Sequence, residues 1–279
     1  MADPPKPRLV APPGACDTHM HVYEAGAALG PRALGPGPAD GTVERFRPVM
    51  DRLGTTRTVV VQPTAYGADN RVTMGAVEAL GPANARAVVV VEPDVDAAEL
   101  ARLDRAGARG VRFQMLPGGH LPWEAMEPLA RRVAPLGWHL QLQMNGRLFA
   151  DREALLRRLP CPLVVDHVGR FMDPVPPDHE AFRALLRLLE GGRCWLKLSA
   201  PYESSTRPDH ADVDALARAA AAAAPERMLW ASNWPHPGRR PPPDDAAMLD
   251  LLFDWIPVEA NRRRALVDNP AALYGFAPA

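Results

Sequence analysis

Two histidines, His19 and His21, stand two residues apart in the apolar stretch Ala15-Cys16-Asp17-Thr18-His19-Met20-His21-Val22. Strand side chains alternate with a period of two, so both imidazoles point to one side and can reach one ion or one substrate. A third histidine, His167, follows the apolar run Leu163-Val164-Val165-Asp166, and Asn233 and His236 stand in Trp230-Ala-Ser-Asn-Trp-Pro-His236. Three histidines hold Zn2+ and activate water if an anionic ligand or base accompanies them. The expected acid is missing here. Asn233 offers an amide, which neither takes up a proton near neutral pH nor makes a strong anionic ligand. The other polar residues at the ends of apolar runs are Gln62, Thr64, Arg112, Gln114, Gln143, Asn145, Asp166, Arg170, Lys197, Ser199 and Ser232. The set is rich in imidazole and guanidinium and poor in carboxylate.

Such residues act together only if the fold brings those ends to one place. Eight apolar, β-branched runs recur: Ala15–Val22, Arg57–Pro63, Ala87–Pro93, Gly110–Met115, Trp138–Gln143, Pro162–His167, Cys194–Ser199 and Met228–Asn233. Between them, Val43–Leu53, Arg71–Leu80, Ala97–Ala106, Trp123–Ala134, Glu153–Leu159, Glu180–Leu189 and Asp212–Ala224 carry apolar residues at three- and four-residue spacing. Asp245–Trp255 supplies a helix after the last strand, and Glu259–Val267 a terminal one. Alternating units of this number and size predict a single-domain (β/α)8 barrel, whose C-terminal strand ends converge on one pocket. A doubly wound open sheet would carry a glycine-rich phosphate loop after its first strand. This chain has His-Met-His there. Residues 1–13 are expected as an N-terminal tail and 14–279 as the barrel. Two long Gly/Pro-rich connections, Ala25–Gly41 and Pro235–Asp244, are expected to cover the pocket face.

Composition narrows the partners. The 279 residues are 47% hydrophobic with a net charge of −1, acidic and basic residues being spread throughout. No basic patch points to nucleic acid and no apolar run reaches membrane-spanning length. The expected partner is a small molecule, with the chain a monomer or small homo-oligomer. The first residues lack the apolar core of a signal peptide, so a cytoplasmic location is the default expectation. Cys16, Cys161 and Cys194 are isolated in apolar contexts and read as reduced, buried packing.

The His-x-His ending the first run, Asp166-His167-Val-Gly-Arg170 ending the sixth and Trp230-Ala-Ser-Asn-Trp-Pro-His236 ending the eighth resemble the amidohydrolase superfamily, amidohydrolase-2 type. Val61-Gln-Pro-Thr-Ala-Tyr-Gly-Ala-Asp-Asn70 and Arg109-Gly-Val-Arg-Phe113 extend the resemblance over nearly the whole chain. Within the superfamily it points to the branch that includes 2-pyrone-4,6-dicarboxylate lactonase and D-galactarolactone isomerase. Asn233 and Pro201-Tyr-Glu-Ser-Ser205 are nearer the isomerase side. The resemblance implies a distorted TIM barrel acting on carboxylated lactones. Its lactonases work without a bound divalent metal and use an aspartate on the last strand as general base; the isomerase lacks that base and lets a substrate hydroxyl attack the lactone carbonyl.

Carried over residue by residue, the resemblance implies that His19, His21 and His167 polarise the scissile carbonyl, with Asn233 at the position of the lost base. It places Arg112 and Arg170 on substrate carboxylates, and Thr64, Gln143 and Tyr202 in contact with substrate. No cofactor is required, and zinc at His19, His21 and His167 would be incidental. The expected activity is isomerisation of a sugar-diacid lactone of the galactaro-1,5-lactone to 1,4-lactone type. The alternatives are a lactone hydrolase of the 2-pyrone-4,6-dicarboxylate or muconolactone type, a metal-dependent decarboxylase, and a binding protein that kept the barrel without the chemistry. A hydrolase would need Asp17, Glu203 or a metal-bound hydroxide in place of the missing base.

Overall fold

A computed structural model describes residues 5–278. Eight parallel strands, β1 (Cys16–Met20), β2 (Arg57–Val61), β3 (Ala85–Val89), β4 (Ala108–Gln114), β5 (His139–Gln143), β6 (Leu163–Val165), β7 (Cys194–Leu198) and β8 (Met228–Trp230), pair in chain order. The helices between them are α1 (Val43–Leu53), α2 (Arg71–Leu80), α3 (Ala97–Arg105), α4 (Met126–Val133), α5 (Phe149–Arg157), α6 (Glu180–Glu190) and α7 (Ala211–Ala223). This is the (β/α)8 barrel that the alternation of apolar runs and helical patterns predicts.

The helices form where local chemistry starts and stops them. Thr42 caps α1 by accepting from the Arg45 N–H, and Gly54 ends it in a left-handed conformation at φ 75°. Asp96 caps α3 through the Glu99 N–H. Most of these helices turn an apolar stripe onto the strands; α6 buries Ala181, Phe182, Leu185, Leu188 and Leu189, whereas α5 buries only Phe149 and Leu156.

Inside the barrel, Cys16, Val59, Val61, Val88, Val164, Trp195 and Leu229 form an apolar layer, closed below by Tyr274 and Phe276 from the end of the chain. Polar side chains lie above that layer. The first strand breaks strict alternation: its register shifts between Asp17 and Met20. Cys16 packs inside while Met20, an even number of residues on, packs against the helices. The seam between β8 and β1 is closed by separate bonds in place of a ladder, two of them from Ser232 to Asp17. Thr18 Oγ1 donates to the Trp230 carbonyl at 2.8 Å, the His21 N–H to the Trp234 carbonyl at 2.8 Å, and the Asn233 N–H to the His19 carbonyl at 2.9 Å. The distortion that closes the barrel therefore sets Asn233 beside the histidine pair.

Element ends differ from expectation where packing overrides pattern. The strand expected over Ala87–Pro93 lies at Ala85–Val89, because β2 and β4 pair with it there. The helix expected from Glu153 begins at Phe149, whose ring is fully buried. Asp245–Trp255 divides into α8 (Asp245–Asp250) and α9 (Leu252–Trp255). The terminal helix α10 (Glu259–Arg263) continues through a wider turn, Arg264–Asp268, into α11 (Asn269–Tyr274). Of the expected tail, residues 1–4 lie outside the described residues. Its end docks on α8, where the Arg8 and Leu9 N–H groups donate to Asp250 at 3.1 and 2.8 Å. The three cysteines are free and buried. No helix among the described residues is long and apolar enough to cross a membrane.

Candidate active site

A pocket opens at the C-terminal ends of the strands. It is lined by His21, Tyr23, Thr64, Arg112, Gln114, Gln143, His167, Arg170, Glu203 and Asn233, together with prolines 63 and 237. Side chains from most of the strands thus meet in one place, as the barrel requires.

Its floor is a buried polar cluster. His21 Nδ1 lies 2.7 Å from the Val61 carbonyl, which only accepts, so neutral His21 carries its proton on Nδ1 and leaves a lone pair on Nε2. Across from it, 3.2 Å away, is His19 Nε2. Two lone pairs facing each other would repel, so His19 carries its proton on Nε2. Its Nδ1 then accepts from the Lys197 ammonium at 3.2 Å. Lys197 Nζ also donates to the Thr18 carbonyl at 2.9 Å and to Gln141 Oε1 at 2.7 Å, with Asp166 Oδ1 at 3.5 Å. Asp166 Oδ1 is itself 3.2 Å from His19 Nδ1, and the ammonium between them offsets that contact. His19 and Lys197 are fully buried. His19 lies one layer beneath the pocket and touches it through His21.

Burial sets the charge states. Desolvation holds His19 and His167 well below the usual imidazole range and takes His21 down to about 3. All three are neutral near pH 7. Lys197 is lowered to about 8 by desolvation, against the pull of Asp166, and keeps its proton at neutral pH.

The walls carry His167 and two arginines. After β6 the chain runs through positive φ at His167 (55°), Val168 (52°), Gly169 (81°) and Arg170 (44°). For a β-branched residue such as Val168 this is a strained conformation, costing about 1–3 kcal/mol. It is held by the Gly169 N–H on the Asp166 carbonyl and the Arg170 N–H on the His167 carbonyl. The result swings His167 inward, where Nδ1 meets Ser199 Oγ at 2.9 Å. Arg112 is buried and donates to the Gln62 carbonyl and Gln143 Oε1, each at 2.8 Å. Among the described residues no carboxylate pairs with Arg112. Arg170, in contrast, pairs with Glu203 at 2.8 Å.

Behind Asn233 runs a buried chain. Asn233 Nδ2 donates to Tyr202 Oη at 3.0 Å, Tyr202 Oη meets His236 Nδ1 at 2.7 Å, and His236 Nε2 meets Asp245 Oδ1 at 2.9 Å. Asn233 and His236 hold positive φ, 64° and 57°.

The structure brings His21, His167, Asn233, Arg112, Arg170, Thr64 and Gln143 to the pocket as expected. It sets His19 beneath them and Tyr202 behind Asn233, outside the lining. Among the described residues, the group able to hold a metal ion is His19, Asp166 and His167, with ligand atoms within 4.8 Å of one another. Asp166 stands in it where His21 was expected, since the Val61 carbonyl anchors the His21 ring. Sequence reasoning did not single out Tyr23. Its one signal is its place two residues after His21. Asp17, a candidate substitute base, is engaged by the Ser232 N–H at 3.0 Å and the Ser232 hydroxyl at 2.5 Å, and burial raises it to about 6.

A family model described as Amidohydrolase matches residues 16–276. The chain is 37% identical to D-galactarolactone isomerase of Agrobacterium fabrum, over 98% of this chain and 94% of that protein. It is 34% identical to a 4-sulfomuconolactone hydrolase of Hydrogenophaga intermedia, over 96% of this chain and 91% of that one. The crystal structure of an Agrobacterium tumefaciens protein solved without ligand matches with a TM-score of 0.93 at 36% identity, covering 98% of this chain and 100% of that one.

Proposed function

The chain belongs to the amidohydrolase family, and from that premise we propose that it isomerises a carboxylated sugar-diacid lactone, galactaro-1,5-lactone to 1,4-lactone in type. Asn233 carries this reading. At the end of β8 an amide, which cannot take a proton from water, faces the pocket. A hydroxyl of the substrate needs no such help to find the carbonyl, because attacking group and electrophile share one molecule; well-oriented intramolecular attack is worth roughly 7–11 kcal/mol.

The roles follow from the contacts. Arg112, a buried cation without an acid partner, binds the substrate carboxylate, and Gln143 holds the guanidinium in place. Arg170 supplies a second positive charge shared with Glu203, and Thr64 lines the same wall. With the Ser199 hydroxyl donating to Nδ1, neutral His167 turns an Nε2–H to the lactone carbonyl and stabilises the developing oxyanion. The attacking hydroxyl displaces the 3.2 Å contact from His19 and donates to His21 Nε2, which takes the proton only as the oxyanion forms, since burial holds this ring at about 3 in the free site. The tetrahedral intermediate collapses, the ring C–O bond breaks, and the departing oxygen takes that proton back. One imidazole serves both steps, and no water is consumed.

A resident divalent ion suits this donor set poorly. The Lys197 ammonium already lies 3.2 Å from His19 Nδ1 and 3.5 Å from Asp166 Oδ1, so a cation held by His19, Asp166 and His167 would stand close to a second positive charge. Asn233 adds no anionic ligand. No step here runs through a metal.

Hydrolysis is the second reading, favoured by one observation: Glu203 is a carboxylate in the pocket. Arg170 and Arg239 hold it, at 2.8 and 3.4 Å, one on each carboxylate oxygen, so both are engaged away from a water. Incubation with 1,5-lactones of sugar diacids, followed by proton NMR, separates the readings. Isomerisation yields the 1,4-lactone without net release of acid. Net acid release supports hydrolysis, and no change on any lactone contradicts both.

A further inference from the structure

The buried chain behind Asn233 has a direction, and that direction decides what the amide offers substrate. Asp245 stands as an acceptor, its Oδ2 already receiving the Arg52 guanidinium at 3.2 Å. The His236 ring therefore presents Nε2–H to it, at 2.9 Å. A neutral imidazole so protonated has a lone pair on Nδ1, which must receive the Tyr202 O–H at 2.7 Å. With its proton committed, the Tyr202 oxygen accepts from Asn233 Nδ2 at 3.0 Å. Each donor is fixed by the next acceptor, from the carboxylate inward. Arg52 of α1 donates to the other Asp245 oxygen at 3.2 Å and to Asp244 at 2.9 Å, one guanidinium shared between two carboxylates.

We propose that Asp245, His236 and Tyr202 are positioning residues that lock the Asn233 amide with Oδ1 toward the pocket, where it accepts a hydrogen bond from a lactone hydroxyl neighbouring the attacking one, whose own proton goes to His21 Nε2. Oδ1 makes no hydrogen bond within the described residues, while Nδ2 is occupied. Asn233 is thus an acceptor and does not polarise the carbonyl. Burial keeps the arrangement intact: Asn233, His236, Asp245 and Tyr202 are all less than 9% exposed. Burial also raises the Tyr202 phenol far above its ordinary range, so it stays an O–H donor. Reversing the chain's direction would turn Nδ2 to the pocket and set a donor against the hydroxyl.

The role assigned to the hydroxyl rests on the isomerase reading; the direction of the chain does not. Proton–nitrogen correlation spectra of protein carrying labelled histidine test the direction without substrate, with His236→Gln used to assign the signal. Protonation of His236 on Nε2 alone is expected. Asp245→Asn lets the new amide donate to Nε2, so the proton moves to Nδ1 and the chain reverses. Wild-type His236 protonated on Nδ1, alone or together with Nε2, overturns the proposal. On lactone, Asp245→Asn and Tyr202→Phe should each lower kcat on the order of 10- to 100-fold with KM nearly unchanged, the scale of a misplaced reacting group. An unchanged kcat in a variant whose spectrum has reversed also overturns it. If Asp245→Asn does not fold, the wild-type spectrum and Tyr202→Phe decide. Wild-type protein with the expected spectrum but no turnover sinks the isomerase reading and leaves the chain's direction standing.

Discussion

Replacing Asn233 by Asp puts a carboxylate at the end of β8, where the His19 carbonyl already fixes the backbone. A carboxylate there can take a proton from water, so hydrolysis should increase relative to isomerisation, read as the ratio of open acid to 1,4-lactone; an unchanged ratio contradicts the role given to this position. Arg112 poses the complementary question on the binding side. No carboxylate among the described residues pairs with it, so Arg112→Ala should raise KM for a carboxylated lactone on the order of 10- to 100-fold, the loss of a charge-assisted bond worth about 1.5–3 kcal/mol. A neutral lactone should be little affected, and equal effects on both would rule out the carboxylate contact. These residues were legible in the sequence because barrel geometry sends every strand end to one pocket. Their hydrogen-bond states were not. That His21 exposes a lone pair depends on the Val61 carbonyl, forty residues away, and that Asn233 turns its oxygen inward depends on Asp245 beyond a proline-rich loop.

Strand and helix order followed from apolar periodicity, and the differences lie at element ends, where packing decides. The turn after β6 is the clearest case. Asp166-His167-Val-Gly-Arg reads as a strand end, yet its positive φ values, the source of the inward swing of His167, have no signature in Val168 or Arg170. The turn between β5 and α5 braces it: the Gly146 N–H donates to the Arg170 carbonyl at 3.0 Å. A Cβ on Gly146 would stand 2.5 Å from the Gly169 carbonyl oxygen and 2.8 Å from the Phe171 ring. Gly146→Ala should therefore cost about 1–3 kcal/mol of stability and also reduce kcat by displacing His167. Thermal melts and kinetics on the same sample check this; a stable variant with full activity would show that the brace does not hold the loop.

For the molecule as a whole, buried imidazoles above and below the apolar layer link stability to pH. Burial lowers His19, His21, His139 and His167 beneath their ordinary 6.5. Below 6.5 the unfolded chain takes up protons that the folded protein refuses, so this stability is complete above 6.5 and declines as pH falls toward about 3, where His21 and His139 titrate. Asp17 acts in the opposite sense, raised from 3.8 to about 6, so between those values the folded state holds the extra proton. Lys197, lowered from 10.5 to about 8, matters only at higher pH. Four imidazoles outweigh one carboxyl, and Tm should fall from pH 7 to pH 5 at constant ionic strength; a flat or rising Tm would mean these rings are charged in the folded protein. The central claim, that a substrate hydroxyl and not water attacks the carbonyl with no metal in the step, has a direct test. Turnover of galactaro-1,5-lactone in water enriched in oxygen-18, with a chelator present, should give 1,4-lactone at an undiminished rate and without the heavy isotope. Label in the product, or activity lost to the chelator, would contradict the account.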